Sequence, residues 1–410
     1  LKKPVHIWIK FQNCRNSKTR LLVFIVALIL LIPCNIFPQE QGYRQSEARS
    51  SDAYIQQAQA QLAANNHEDA VKSLLKAADI LENKGDKEKL SMVYTMVADI
   101  YAGIGALDNS ADYYIKSLEN GFVADRKTRA ETEEKLGDVY FLMQQYSKAA
   151  EPYNNAAEFY QQAGNEESLI KLLSKIALNQ RKAGNFTESL NTSQRLLQVT
   201  ENTNRHSLRF TTLNNMGYDY VQLKAYLRAY ESFRDAYDTG KELNIESYQL
   251  AEISTNISVC LYNMKKPREA LENLQKLLVS EKPGMSPAIL AKTEDLLAMI
   301  YLYTGDLYNA GQFSERAVES AQKSGDKYTL QNCYNTRSQV LKAGNDPIRA
   351  LEYYEKYLSL RDSLLLEEKL KEQENARRKF NLEKSEKEIR LEIAGENIME
   401  MRLIQSELER

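Results

Sequence analysis

One sequence feature constrains the fold more than any other. A small residue recurs at Ala70, Ser110, Ala149, Ser189, Ala229, Ala270, Ala310 and Ala350, at successive intervals of 40, 39, 40, 40, 41, 40 and 40 residues. Seven near-equal intervals require a tandem array rather than a single folded core. Each unit reads as two amphipathic stretches at helical spacing, as in Leu213, Met216, Gly217 and Tyr220 followed by Ala229, Phe233 and Ala236. Neither stretch can bury its apolar stripe alone, so the two must pack on each other and on the neighbouring units. A second small position falls eight residues into each unit, at Ala58, Ala98, Gly137, Ala177, Gly217, Ser258, Ala298 and Ser338. It lets the first helix approach the second closely while a bulky group fills the gap.

The fold class expected is therefore all-α: a right-handed superhelix of eight helix-turn-helix units over residues 51–357, starting near 51, 91, 130, 170, 210, 251, 291 and 331. Composition agrees, with only 8 prolines and 16 glycines in 410 residues. Gly105, Gly184, Gly305 and Gly344 are expected in the left-handed conformation between the two helices of a unit. Unit eight then carries one extra residue between Gly344 and Ala350. Pro152 falls inside a second helix, where it removes one backbone hydrogen bond and is expected to bend unit three.

The set Gly137-Asp138-Val139-Tyr140 then Tyr146-Ser147-Lys148-Ala149, repeated as Gly217-Tyr218-Asp219-Tyr220 then Tyr226-Leu227-Arg228-Ala229, resembles the tetratricopeptide repeat. The period near 40 is longer than that family's usual 34 residues, as in the repeats of kinesin light chain and of bacterial peptide-sensing regulators. The resemblance implies a binding scaffold and no catalysis of its own.

The N-terminus departs from this pattern. Lys2, Lys3, Lys10, Arg15, Lys18 and Arg20 precede an apolar run from Leu21 to Ile32, and Pro33 ends it. That order reads as a secretory signal, or an N-terminal anchor, over residues 1–38, with 39–50 as linker. Twelve apolar residues cover only ~18 Å of helix against a ~30 Å hydrocarbon core, which favours a cleaved signal over a retained span. Either reading exports everything after residue 40, giving a periplasmic or membrane-anchored protein facing outward. Leu31-Ile32-Pro33-Cys34 resembles a lipoprotein cleavage box, with Pro33 where a small residue is wanted.

From Ile348 onward there is no proline, so the last second helix is expected to continue as a charged helix over 358–410 and leave the array for solvent. Leu391, Ala394, Ile398, Met401 and Leu408, with Gln405 among them, alternate steps of three and four residues and form a heptad seam. Self-association through that seam is expected, against the alternative of a single helix with no partner. The stretches Tyr354-Glu355-Lys356-Tyr357-Leu358-Ser359-Leu360-Arg361-Asp362-Ser363-Leu364 and Glu383-Lys384-Ser385-Glu386-Lys387-Glu388-Ile389 are similar to the junction in tetratricopeptide sensor proteins of Bacteroidetes-type bacteria. There a secreted array passes into a membrane span and then a histidine kinase or other output. This resemblance, with a chain that begins with Leu, implies the sensor region of a longer signalling protein as the alternative to a free-standing scaffold.

Chemistry is poorly supplied. His6, His67 and His206 are the only histidines and are read as lying in the signal, a turn and a loop, so no metal site, cofactor site or nucleophile–base pair can be assembled from them. A net charge of −2 with alternating signs offers no basic face for nucleic acid. Cys260 and Cys333 fall two units apart and read as buried free thiols. The expected site is instead the groove lined by first helices, where peptide-binding relatives place an asparagine six residues into the unit. Asn215 and Asn256 hold that position, and Asn214, Tyr218, Tyr262, Asp295, Met299 and Tyr303 lie near the same stretch. The expected ligand is a protein segment or peptide whose backbone those amides would bond.

Overall fold

The computed structural model describes residues 50–120, 126–201, 205–280 and 285–409. Residues 1–38, expected to be a signal or anchor, and the expected linker up to residue 49 lie outside the described residues. Every element among the described residues is an α-helix, and the helices form a tetratricopeptide-like superhelix. They fall into eight pairs. The first four are α1 (Ser51–Ala63) with α2 (His67–Lys84), α3 (Lys87–Gly103) with α4 (Leu107–Asn120), α5 (Arg126–Leu142) with α6 (Tyr146–Gln162), and α7 (Glu166–Lys182) with α8 (Phe186–Thr200). The last four are α9 (His206–Gln222) with α10 (Tyr226–Glu242), α11 (Ser247–Asn263) with α12 (Pro267–Ser280), α13 (Pro287–Thr304) with α14 (Leu307–Ser324), and α15 (Lys327–Ala343) with α16 (Pro347–Leu408). No helix among the described residues is long and apolar enough to cross a membrane.

The small positions do what their spacing requires. Ala70, Ala149, Ala229, Ala270 and Ala310 have no exposed surface, and Ser110 and Ser189 are equally buried. A Cβ added to Gly137 would stand 2.5 Å from the Tyr153 ring, and one added to Gly217 would stand 2.5 Å from the Phe233 ring. The aromatic side chain of the second helix thus fills the space that the missing side chain of the first leaves open. Ser110 and Ser189 donate across the same junction to the carbonyls of Ala98 and Ala177 at 2.9 and 3.0 Å.

The turn inside each unit follows one rule. The residue five places before the small position has positive φ in all eight: Asn65, Gly105, Gln144, Gly184, Lys224, Lys265, Gly305 and Asn345. The next amide then donates to the carbonyl five residues back, as in Ala106 to Tyr101 at 2.8 Å and Asp346 to Leu341 at 3.0 Å. This corrects the expectation for unit eight. Gly344 has φ −77° and Asn345 takes the left-handed place, so the glycine lies one residue early and the turn holds no extra residue. Asp346 then caps α16 through the amide of Arg349, as Asp306 caps α14 through Asn309. Pro152 is buried within a helix that runs continuously from Tyr146 to Gln162.

The C-terminal helix corrects a second expectation. Its first turns pair with α15, and Lys327 of α15 bonds Glu367. About 33 Å of α16 then separates Glu367 from Ile389, and along it Leu370 and Phe380 are exposed. The helix does not then end in solvent. It reaches α2 and α4, where Ile389 and Ile393 retain 8% and 5% of their surface within the core of units one and two. Lys72 of α2 meets Glu392 at 2.5 Å. Burial of the two isoleucines is worth ~1.5–3 kcal/mol each, with the surface ion pair adding at most ~1 kcal/mol.

The residues of the expected seam are not the ones that pack. Leu391, Ile398 and Met401 are 73%, 49% and 63% exposed, and the Leu408 side chain lies outside the described residues. Ala394 is exposed at the rim of the contact. Leu391 follows Ile389 by two residues, about 160° around the helix, so the packed stripe and the heptad stripe lie on opposite sides.

Candidate functional site

A chain of side-chain contacts crosses the first helices from unit to unit, and its chemistry changes along the array. In units one to four it consists of lysine–carboxylate pairs: Lys89 with Asp52 at 3.0 Å, Lys135 with Asp99 at 2.8 Å, and Lys175 with Glu134 and Asp138 at 2.8 and 2.7 Å. Tyr153 donates to the same Asp138 at 2.7 Å. These pairs are half-exposed and fix the spacing of successive helices more than they stabilise them.

At unit five one last, more buried pair, Arg181 with Asp219, is joined by amides and aromatics. Arg181 of α7 donates to Asn215 of α9 at 2.9 Å and reaches Asp219 at 2.8 Å. Asp219 is fully buried and also accepts from Ser189 at 2.6 Å. Burial pushes its carboxyl up from the ordinary range, with Ser189 and Arg181 opposing that shift. Asn256 of α11 donates to the Tyr218 hydroxyl at 2.9 Å, and that hydroxyl donates to Glu252 at 3.3 Å. Burial, then the Glu252 charge, push the Tyr218 phenol up to about 12. Tyr262 meets Tyr303 of α13 edge to face at 5.8 Å, and the Lys265 ammonium stands 5.5 Å over the Tyr303 ring.

The residues singled out in the sequence are thus distributed over one ladder of first helices. Asn215, Tyr218 and Asn256 are half-buried and bonded to neighbouring helices, while Met299 and Tyr303 are exposed. Asn214 is half-buried too, and its Oδ1 is a buried acceptor without a hydrogen-bond partner. Asp295 faces α15, where burial raises its carboxyl to about 6 against hydrogen bonds from Thr336 and Cys333. Arg181, Asp219 and Glu252 belong to the same ladder and were missed by sequence reasoning. Their signal was a charged residue in an otherwise core-facing stretch, as Asp219 is between Met216 and Tyr220.

A separate cleft of about 650 Å³ opens between α4, α5 and α6, lined by Arg129, Glu133, Tyr140, Lys148, Glu151 and Asn155. Burial raises the Glu133 carboxyl there, and Asn155 and Arg129 oppose it. His67 and His206 open α2 and α9 rather than lying in a turn and a loop. No cluster of three or more His, Cys, Asp or Glu side chains that could hold a metal occurs among the described residues. Cys260 and Cys333 are both buried and free, and burial pushes the Cys260 thiol up to about 12.

Comparison with known proteins agrees with this architecture. The tetratricopeptide repeat family matches residues 289–363, and the family described as soluble NSF attachment protein, SNAP, matches residues 42–213. No curated protein matches the chain. Among solved structures, the apo form of RapI is similar at 16% identity with a TM-score of 0.50, over 67% of this chain and 98% of that one. A signal-transduction ATPase with a tetratricopeptide repeat sensor from Pyrococcus horikoshii is similar at 15% identity with a TM-score of 0.50, over 89% of this chain and 61% of that one. These likenesses describe the fold. The repeat family is matched in the last units, and the helix pairs before them continue the same tetratricopeptide-like fold.

Proposed function

We propose that the array is a scaffold that binds a segment of another protein along the first helices of units five to seven, outside the cytoplasm. The observation that carries this reading is the change in the ladder at unit five. Lysine–carboxylate pairs satisfy one another, whereas the amide and tyrosine stretch adjoins exposed Met299 and Tyr303. Apolar contact next to amide groups suits an extended peptide, whose backbone needs donors and acceptors and whose side chains need apolar cover. The N-terminal signal supports export, and the inventory of histidines supports binding without catalysis.

A second reading is that the array is the sensing part of a longer signalling protein. It is favoured by the similarity to an ATPase whose tetratricopeptide portion is described as its sensor.

Photo-crosslinking tests the binding reading. A benzophenone side chain at Tyr303, on a first helix, is compared with one at Tyr308, which is 74% exposed on the second helix α14. A partner from the exported fraction that crosslinks through Tyr303 and not through Tyr308 supports the reading. Equal capture at the two positions contradicts it.

A further inference from the structure

We infer that the face of α2 and α4 covered by residues 389–393 is a helix-recognition surface, and that the chain's own C-terminal helix is its resident, competitive occupant. Its partner is an amphipathic helix carrying two branched aliphatic residues four apart with a carboxylate just before the second.

Three observations carry this. Ile389 and Ile393 lie within the hydrophobic core of units one and two rather than resting on its surface. Residues four apart share one face of a helix, so this pair can enter a groove together. The contact also has a charged register mark. Lys72 meets Glu392 at 2.5 Å, and Lys72 is only 22% exposed, so a helix shifted by a turn would lose the pair while keeping an apolar face. Finally, the resident helix fills its groove incompletely. A cleft of about 290 Å³ remains beside Ile393 and Ala394, walled by Leu75, Ala78, Tyr94 and Tyr113 together with the charged Asp79, Glu82 and Lys116. A side chain longer than alanine at that place would fill it.

Tethering explains how a sub-optimal occupant holds the surface. The helix is anchored in unit eight and reaches units one and two as one continuous rod, so its local concentration at the groove is on the order of millimolar or above. A partner in trans displaces it only by fitting better, and the unfilled cleft shows where that improvement lies. Displacement would free a helix whose opposite face carries Leu391, Ile398 and Met401, all exposed. The inference does not depend on the ligand of units five to seven, which lies on other helices.

The experiment uses the full chain and, as probe, a fluorescent, lactam-stabilised helical peptide of residues 383–402. In the variant Ile389→Asp/Ile393→Asp the resident helix is undocked, and the peptide should bind about tenfold more tightly than to the wild type, where it competes with the tethered copy. Adding Lys72→Glu to the opened variant should weaken binding about fivefold, and a peptide carrying Glu392→Lys should recover it. A peptide carrying Ala394→Leu should bind more tightly than the natural sequence. A cooperative melt with the helical content of the wild type establishes that the array of the opened variant remains folded, at a lower midpoint because the two isoleucines no longer pack; if it does not, Lys72→Glu alone in the full chain serves as a partly opened form, with the Glu392→Lys peptide as its probe and a gain of up to about fivefold over wild type expected. Equal binding to wild type and opened variant, binding indifferent to residue 72, or no binding to either would overturn the inference.

Discussion

At the residue scale, Asn256 separates a binding role from a packing role. Its amide nitrogen bonds the Tyr218 hydroxyl, so it has a structural partner, and that contact is half-buried. A ligand backbone bonded to the same amide would be left unpaired by truncation to alanine, whereas the free protein would lose only the contact with Tyr218. Asn256→Ala is therefore expected to weaken partner affinity by ~1–3 kcal/mol and to lower stability by less than that. Affinity and thermal melts on the same preparation check the ordering, and the reverse ordering removes Asn256 from the site. Asp295 gives a prediction in pH. Its folded carboxyl titrates at about 6 against an ordinary value of 3.8, so the native state holds a proton that the unfolded state has released between those values. Stability should therefore rise as pH falls from about 6 towards 4, and the destabilisation is complete above about 6. Asp295→Asn should stabilise the protein at pH 7 by up to ~3 kcal/mol and have little effect at pH 4. Denaturant melts at the two values measure this. Neither role was legible in the sequence. The positions of Asn256 and Asp295 within the repeat were readable, but whether a polar side chain meets a neighbouring helix depends on the angle between units, which the period does not contain.

At the scale of the element, the register of small residues was almost wholly legible, because close helix crossing leaves room for no other type. Ala229 has no exposed surface at the crossing of α9 and α10. Ala229→Leu should destabilise the protein by ~1–3 kcal/mol, and an unchanged melting curve would contradict the packing described. The turns were half legible. Glycine marks the left-handed place in Gly105, Gly184 and Gly305, but Gln144, Lys224 and Lys265 hold the same conformation without it. Sequence patterns find the place only when the residue suits it. Lys224→Gly relieves a backbone strain of ~1 kcal/mol and should raise the melting temperature, whereas Gly305→Ala should lower it. The C-terminal helix was legible in length and misleading in partner. Its distal end carries apolar residues on two opposite sides, and heptad spacing selects Leu391, Ile398 and Met401 while the groove takes Ile389 and Ile393. Which stripe finds a partner depends on where a rod of ~60 residues arrives, and that is a property of the whole array's curvature.

At the scale of the molecule, the stacked units share load only with their neighbours, except where α16 joins the last unit to the first two. Binding should therefore be felt locally along the first helices, without a general tightening of the array. Hydrogen exchange of the full chain, alone and with a partner captured through Tyr303, measures this directly. Exchange should slow in α9, α11 and α13, with little change in the second helices α10, α12 and α14. Protection that falls mainly on those second helices, or on units one to four, would contradict the placement of the site.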